Sequence, residues 1–374
     1  MLRLALTLLL LSATACAFSP DPERRNAELV GVAPLLSAGA IEVVAELPAP
    51  PGNLALAADG RVFFTYHPEA GPDTPARVAE LSPDGSVRPF PNEAWQRPRE
   101  GPHFVTPLGV RIDARQRLWV LDHGDYGDET PALYAFDLKT RALVHRFDFP
   151  SEVAGWGSML NDLVVDAERG WVYMAEPGPY TFDPALIVYS IGRRRAWRVL
   201  EDTDPVSALD QHLVVQGRFM KVYGLPLQIA IDTIALSPDG ETLYFGPLSG
   251  DQLYQLPTAR LRALSSGDQP EEALLAEVRP LGKKPTSDGG VADARGVYLT
   301  AVEHDALAVL RLDGRLESLV QSPELLAWPD GLALSQDGRW LYASVSELHH
   351  VIGLDSEEVG RHAPFRIVRV ALPE

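Results

Sequence analysis

The chain has 374 residues, 46% of them hydrophobic and 8% aromatic, with 33 Lys and Arg against 51 Asp and Glu for a formal net charge of −18. So acidic a surface repels phosphate backbones and anionic headgroups, which argues against nucleic acid and against electrostatic attachment to membranes. Cys16 is the single cysteine, so the folded part holds no disulfide and no thiol nucleophile.

In chain order, residues 1–15 read as a signal peptide. Arg3 supplies the positive end, Leu4 to Leu11 the apolar stretch, and Ala13-Thr14-Ala15 the small-residue cleavage site. The apolar run is too short to span a membrane as a helix. Cys16 follows directly and reads in two ways: as the lipidated cysteine of an imperfect lipobox, or as an incidental residue after ordinary cleavage. The expectation is an exported protein, periplasmic, extracellular or anchored to the outer membrane through a lipid on Cys16. Residues 16–40 read as a linker and residues 41–374 as one all-β domain.

Within that domain a pattern recurs six times: a small or polar residue, an apolar strand, a turn Asp often followed by Gly, and an aromatic-rich second strand. The starts are Gly52, Leu108, Asn161, Asp232, Asp288 and Asp330, with turn aspartates Asp59, Asp113, Asp166, Asp239, Asp293 and Asp337. Asp-Gly chemistry suits tight hairpin turns. Spacings of 42 to 71 residues, with one clear hairpin per period, predict a six-bladed β-propeller. Glu42–Leu47 and Phe365–Leu372 are placed to complete one closing blade from the two ends of the domain. The longest spacing contains an insertion near 201–227, with Asp202, Asp204, Asp210, His212 and Met220, expected as a partial lid over one face. Thr258–Glu277 has room for a short helix.

In a propeller the first strand of each blade lines a central channel, so equivalent positions converge. Asn161, Asp232, Asp288 and Asp330 are therefore expected at one mouth, and burying them unpaired is costly. A divalent cation (Ca, Mg, Mn or Zn) held by Asp232, Asp288 and Asn161 would relieve them, as would a cationic ligand. Other polar residues placed near the mouth are His67, Asp122, His123, Glu176, Glu303, His304, His349 and His350. Tyr66, Phe104, Trp156 and Trp328 are candidate apolar or cation–π walls. Sequence signatures of zinc proteases, serine hydrolases and nucleotide-binding loops are absent.

The runs Tyr66-His67-Pro68, Leu118-Trp-Val-Leu-Asp122, Leu160-Asn-Asp-Leu-Val-Val-Asp166, Leu243-Tyr-Phe-Gly-Pro-Leu-Ser-Gly250, Val302-Glu-His304 and Trp328-Pro-Asp-Gly331 resemble the major royal jelly protein/Yellow family, in its bacterial, dopachrome-tautomerase-related form. That resemblance implies a six-bladed propeller, with small amines bound in the channel of some members. A more distant similarity is to the gluconolactonase/senescence-marker propellers, which are metal-dependent lactonases. Carried over by strand starts, Asn161 matches their substrate-side Asn, Asp232 stands where a ligand Asn would be, and Asp288 matches a ligand Asp. Gly52 stands where they have a ligand Glu.

The leading expectation is an exported monomeric propeller that binds a small amine or aromatic molecule through Asn161, Asp232, Asp288, Asp330, His67, Glu303 and Trp328. The alternatives are a metal-assisted lactone or ester hydrolase, with Asp288 or His304 as catalytic candidates, and a quinone tautomerase suggested by the family label alone.

Overall fold

The computed structural model describes residues 26, 28–264 and 271–373. The signal-peptide and Cys16 expectations lie outside the described residues. Six four-stranded antiparallel sheets are arranged as the blades of a propeller. Blade one comprises Pro51–Leu56, Val62–Tyr66, Val78–Leu81 and Val87–Pro89, and blade two Pro107–Ile112, Arg117–Asp122, Ala132–Asp137 and Leu143–Asp148. Blade three comprises Leu163–Asp166, Trp171–Glu176, Ala185–Ser190 and Arg195–Val199. Blade four comprises Ile231–Leu236, Thr242–Pro247, Gln252–Pro257 and Arg279–Lys283, and blade five Gly290–Asp293, Gly296–Ala301, Ala306–Leu310 and Leu316–Gln321.

Blade six takes three strands from the end of the chain, Pro329–Leu334, Trp340–Val345 and Phe365–Ala371, and its outermost strand, Ile41–Leu47, from the beginning. Ile41 pairs with Val370 and Leu47 with Phe365, which closes the ring between its first and last segments. A closed ring leaves no long inner edge free for pairing with another chain.

The hairpin turns explain why each repeat folds locally. Asp113 accepts from the backbone N–H groups of Arg115 and Arg117 and, across 2.8 Å, from Trp119 Nε1 on the second strand. Asp59, Asp239, Asp293 and Asp337 likewise accept from the backbone N–H two residues on. Each turn thus carries its own acceptor, and the second strand returns in register. Between blades the second and third strands pack apolar faces, as where Phe63 and Phe90 of blade one meet Phe136 and Trp95 beside blade two.

The region between blades three and four holds two miniature hairpins, Val214–Val215 with Arg218–Phe219 and Lys221–Val222 with Leu225–Pro226. The stretch expected as one short helix is two, Thr258–Leu264 and Glu271–Leu275, outside the third strand of blade four. Among the described residues no helix is long and apolar enough to cross a membrane.

Candidate functional site: an acidic ring in the central channel

The six repeat starts open the innermost strands at the same level of the channel. Asn161, Asp232, Asp288 and Asp330 are all buried there. Asn161 Nδ2 donates to Asp232 Oδ1 across 2.6 Å, joining blades three and four. Trp328 Nε1, at the entry to blade six, donates to Asp288 Oδ2 of blade five across 2.7 Å. Asp330 Oδ2 is buried without a hydrogen-bond partner among the described residues. It faces His67 Nε2 of blade one across 3.9 Å, too far for a hydrogen bond. His67 Nδ1 accepts from the Glu69 backbone N–H, which leaves the ring proton on the Nε2 that faces Asp330.

Burial dominates the electrostatics. It pushes Asp288 up to about 7, with the Trp328 bond opposing the shift. It also raises Asp232 and Asp330 well above the ordinary carboxylate range, and the neighbouring Asp288 and Asp162 add to both shifts. The same burial takes His67 down to about 3, so it is neutral at physiological pH.

Four residues of this centre carry no signal in the repeat starts. Lys284 is completely buried, its Nζ donating to the carbonyls of Pro285 at 3.1 Å and Gly250 at 3.3 Å. Burial brings it down to about 7, and Asp232 opposes that shift. Further along the channel, Arg111 Nη1 donates to Asn53 Oδ1 and Nη2 to Asp162 Oδ2, each across 2.8 Å. Nη2 also reaches the Gly290 carbonyl at 3.4 Å, so one guanidinium ties together blades one, two, three and five. Burial raises Asp162 while Arg111 lowers it. Below this crossing lies a cavity of about 250 Å³ at the far mouth, walled by Val164, Ala235, Leu236 and Val291. Arg111 has a sequence signal that was not used, a cation inside an apolar strand, Val110-Arg111-Ile112. Lys284 has none, because Lys283-Lys284 reads as a solvated pair.

The insertion packs against the near mouth. Leu213, Val215 and Met220, each at most 2% exposed, join one apolar cluster with Tyr66, Leu248, Val302, Trp328 and Leu348. Those partners stand at the upper ends of blades one, four, five and six, so the insertion packs over that side of the mouth.

The remaining candidates take other roles. Glu303 accepts from the Thr286 hydroxyl at 2.7 Å and from the Val214 N–H at 2.8 Å, so it anchors the insertion. His304 belongs to the short turn after the second strand of blade five, and its carbonyl accepts from Gln321 of the outer strand. Asp122 accepts from the N–H groups of Val105, Thr106 and Gly124, and Glu176 from those of Met159 and Gly178 together with the Ser158 hydroxyl. Both carboxylates clamp loops. His123 Nδ1 accepts from the Tyr126 N–H. Phe104 packs with Trp95 and Tyr134 between blades one and two, and Trp156 is 73% exposed on an outer loop, so neither is a channel wall. Trp328 and Tyr66 do reach the mouth, beneath the insertion.

The divalent site expected at Asp232, Asp288 and Asn161 does not fit these side chains. Among the described residues no three His, Cys, Asp or Glu side chains are grouped to hold a metal ion. Asn161 turns its N–H on Asp232, and an oxygen of Asp288 is occupied by Trp328. At Gly52, where the lactonase-like pattern has a carboxylate, a Cβ would lie 2.9 Å from both Leu108 Cδ1 and Thr65 Oγ1. Position 52 holds a longer ligand side chain only if Leu108 and Thr65 give way.

The sequence profile described as Major royal jelly protein matches residues 105–369. The chain belongs to the major royal jelly protein family. Curated relatives include major royal jelly protein 7 of Apis mellifera, 27% identical over 194 residues that cover 48% of this chain and 42% of that one. Protein yellow of Drosophila melanogaster is 27% identical over 232 residues, covering 54% of this chain and 40% of the relative. The matches thus cover less than half the length of these relatives. Among solved structures, a gluconolactonase from Xanthomonas campestris superposes with a TM-score of 0.56 at 15% identity, covering 95% of this chain and 96% of that one. A calcium-binding regucalcin from Agrobacterium tumefaciens gives 0.55 at 14% identity, over 91% and 96%. At that identity the likeness is one of fold, and it agrees with the six blades seen in this royal jelly family member.

Proposed function

We propose that this propeller binds a small organic cation, an aliphatic or aromatic amine, in the acidic ring beneath the insertion. The observation that carries the reading is Asp330 Oδ2, buried and without a hydrogen-bond partner among the described residues, beside the buried carboxyls of Asp288 and Asp232. An ammonium group satisfies that oxygen and offsets the carboxylates in a medium that strengthens the attraction. Trp328 and His349, whose rings are parallel with centroids 6.4 Å apart, supply flat surfaces next to it. Entry is through the near mouth, by displacement of the insertion, because Arg111 and its partners cross the channel from the far side. The leader read in residues 1–15 suits a binder working outside the cytoplasm.

The test is a tryptophan-fluorescence titration with a panel of primary and aromatic amines at neutral pH. Saturable binding by at least one class is expected, weakened about tenfold or more in Asp330→Asn, the loss of one charge-assisted hydrogen bond. No saturation across the panel overturns the reading.

A further inference from the structure

The side of the insertion that rests on blades five and six is held by hydrogen bonds. The Val214 N–H donates to Glu303, Gln216 Nε2 to Asp305 Oδ1 at 3.2 Å and to the Pro323 carbonyl at 2.8 Å, and Arg218 to the carbonyl of His349. His349 begins a run of three imidazoles. Its ring centroid is 3.9 Å from that of His350, which stacks at 4.3 Å on His362. Both nitrogens of the buried His349 ring lack a hydrogen-bond partner among the described residues. The charged groups around the run are Arg218 of the insertion, Glu347 of the same turn, and Arg366 of the closing strand. Glu347 lies 3.6 Å from His350 Nδ1 and 3.7 Å from Arg366 Nη1, so its one negative charge is shared.

We infer that His349, His350 and His362 form an acid-sensitive latch: neutral, they let Arg218 hold the insertion over the mouth, and protonated, they repel Arg218 and release it. This rests on the reading of the channel as a binding site entered beneath the insertion.

Packing imidazoles against one another and against a guanidinium favours their neutral forms. Burial, with His350 and Arg218 adding to it, brings His349 down to about 3, and His350 and His362 are lowered as well. Opening removes Arg218 and the insertion's cover, so these rings move up toward the ordinary value of 6.5. The open state then binds more protons, so closure is favoured at neutral pH and is lost progressively as pH falls below the open-state value. For a ring that stays neutral when closed, the opening equilibrium at pH near 5 rises about thirtyfold over its value at about pH 7.5.

Hydrogen–deuterium exchange of the amides in 213–227, corrected for intrinsic exchange rates, tests this on the full chain without ligand. The expected result is a gain of about tenfold or more in opening between about pH 7.5 and 5, with the amides of the second strands unchanged. The gain should be retained in Asp305→Asn and abolished in the His350→Gln/His362→Gln/His349→Asn variant, whose folding is checked by its unaltered blade protection. If that triple variant unfolds, the exposed-side pair His350→Gln/His362→Gln is used, and at least a severalfold reduction of the gain is required. Wild-type protection that is flat with pH, or a gain unchanged by the histidine substitutions, overturns the latch. An acid-opened insertion in a protein that binds no amine keeps the latch and removes the ligand; amine binding under an insertion indifferent to pH does the reverse.

Discussion

Trp328 Nε1 and Asp288 Oδ2 meet across 2.7 Å, and this contact joins the entry of blade six to the innermost strand of blade five at the level of the acidic ring. The indole is wholly buried under the insertion, so the bond also links the ring to what covers it. Trp328→Phe keeps the apolar bulk and removes the donor. The expected cost is about 1–3 kcal/mol, that of a buried bond to an ionisable group. Because the Trp328 bond opposes the raised pKa of Asp288, the variant should also hold its proton to higher pH. Urea unfolding across pH measures both.

Asp288→Asn tests the ring from the other side. A carboxyl whose folded pKa lies above its unfolded one binds the proton more tightly when folded, so its contribution to stability falls as pH rises from the unfolded value toward the folded one. For Asp288 that window runs from 3.8 to about 7. The Asn variant should therefore gain stability relative to wild type at about pH 7.5 and lose that advantage near pH 4. A variant less stable than wild type throughout would make Asp288 a structural acceptor only.

The legibility of this site followed its register. Asn161, Asp232, Asp288 and Asp330 could be grouped from the sequence because each opens a strand in a repeat whose period forces equivalent positions together. Arg111 and Asp162 could not be paired that way. Their contact crosses the channel between different levels of neighbouring strands, and a repeat aligns levels without coupling them. Lys284 carries no such signal, because its burial is a property of the assembled ring. Trp156 and Phe104 were placed at the mouth on residue type alone, and the loop geometry put one outside and one between blades. The fold was easier still: turn aspartates accept from their own hairpins, and a local bond of that kind is visible in a short stretch of sequence.

Arg111→Met separates pairing from packing. It strips Asp162 of its charge partner and leaves a buried carboxyl with only Asn53 and a backbone N–H for support. A loss of about 3–5 kcal/mol is expected, and Asp162→Asn in the same chain should recover part of it. A double-mutant cycle on thermal unfolding reads the coupling.

Gly52→Ala probes the blade that lacks a polar start. With Leu108 Cδ1 and Thr65 Oγ1 each 2.9 Å from the new methyl, these side chains or the strand must give way, at a cost of about 1–3 kcal/mol. The same crowding predicts that a strong chelator, or added calcium, leaves the melting temperature of the purified wild-type protein unchanged.

In the proposed site an organic cation takes the place of protons at Asp288, Asp232 and Asp330. Isothermal titration of the best-bound amine at neutral pH, in two buffers of different ionisation enthalpy, measures that exchange directly. Saturable binding with net release of about one proton is predicted, with the affinity weakened about tenfold or more and the release reduced in Asp330→Asn. Binding without proton release, or binding that survives the substitution undiminished, would contradict it.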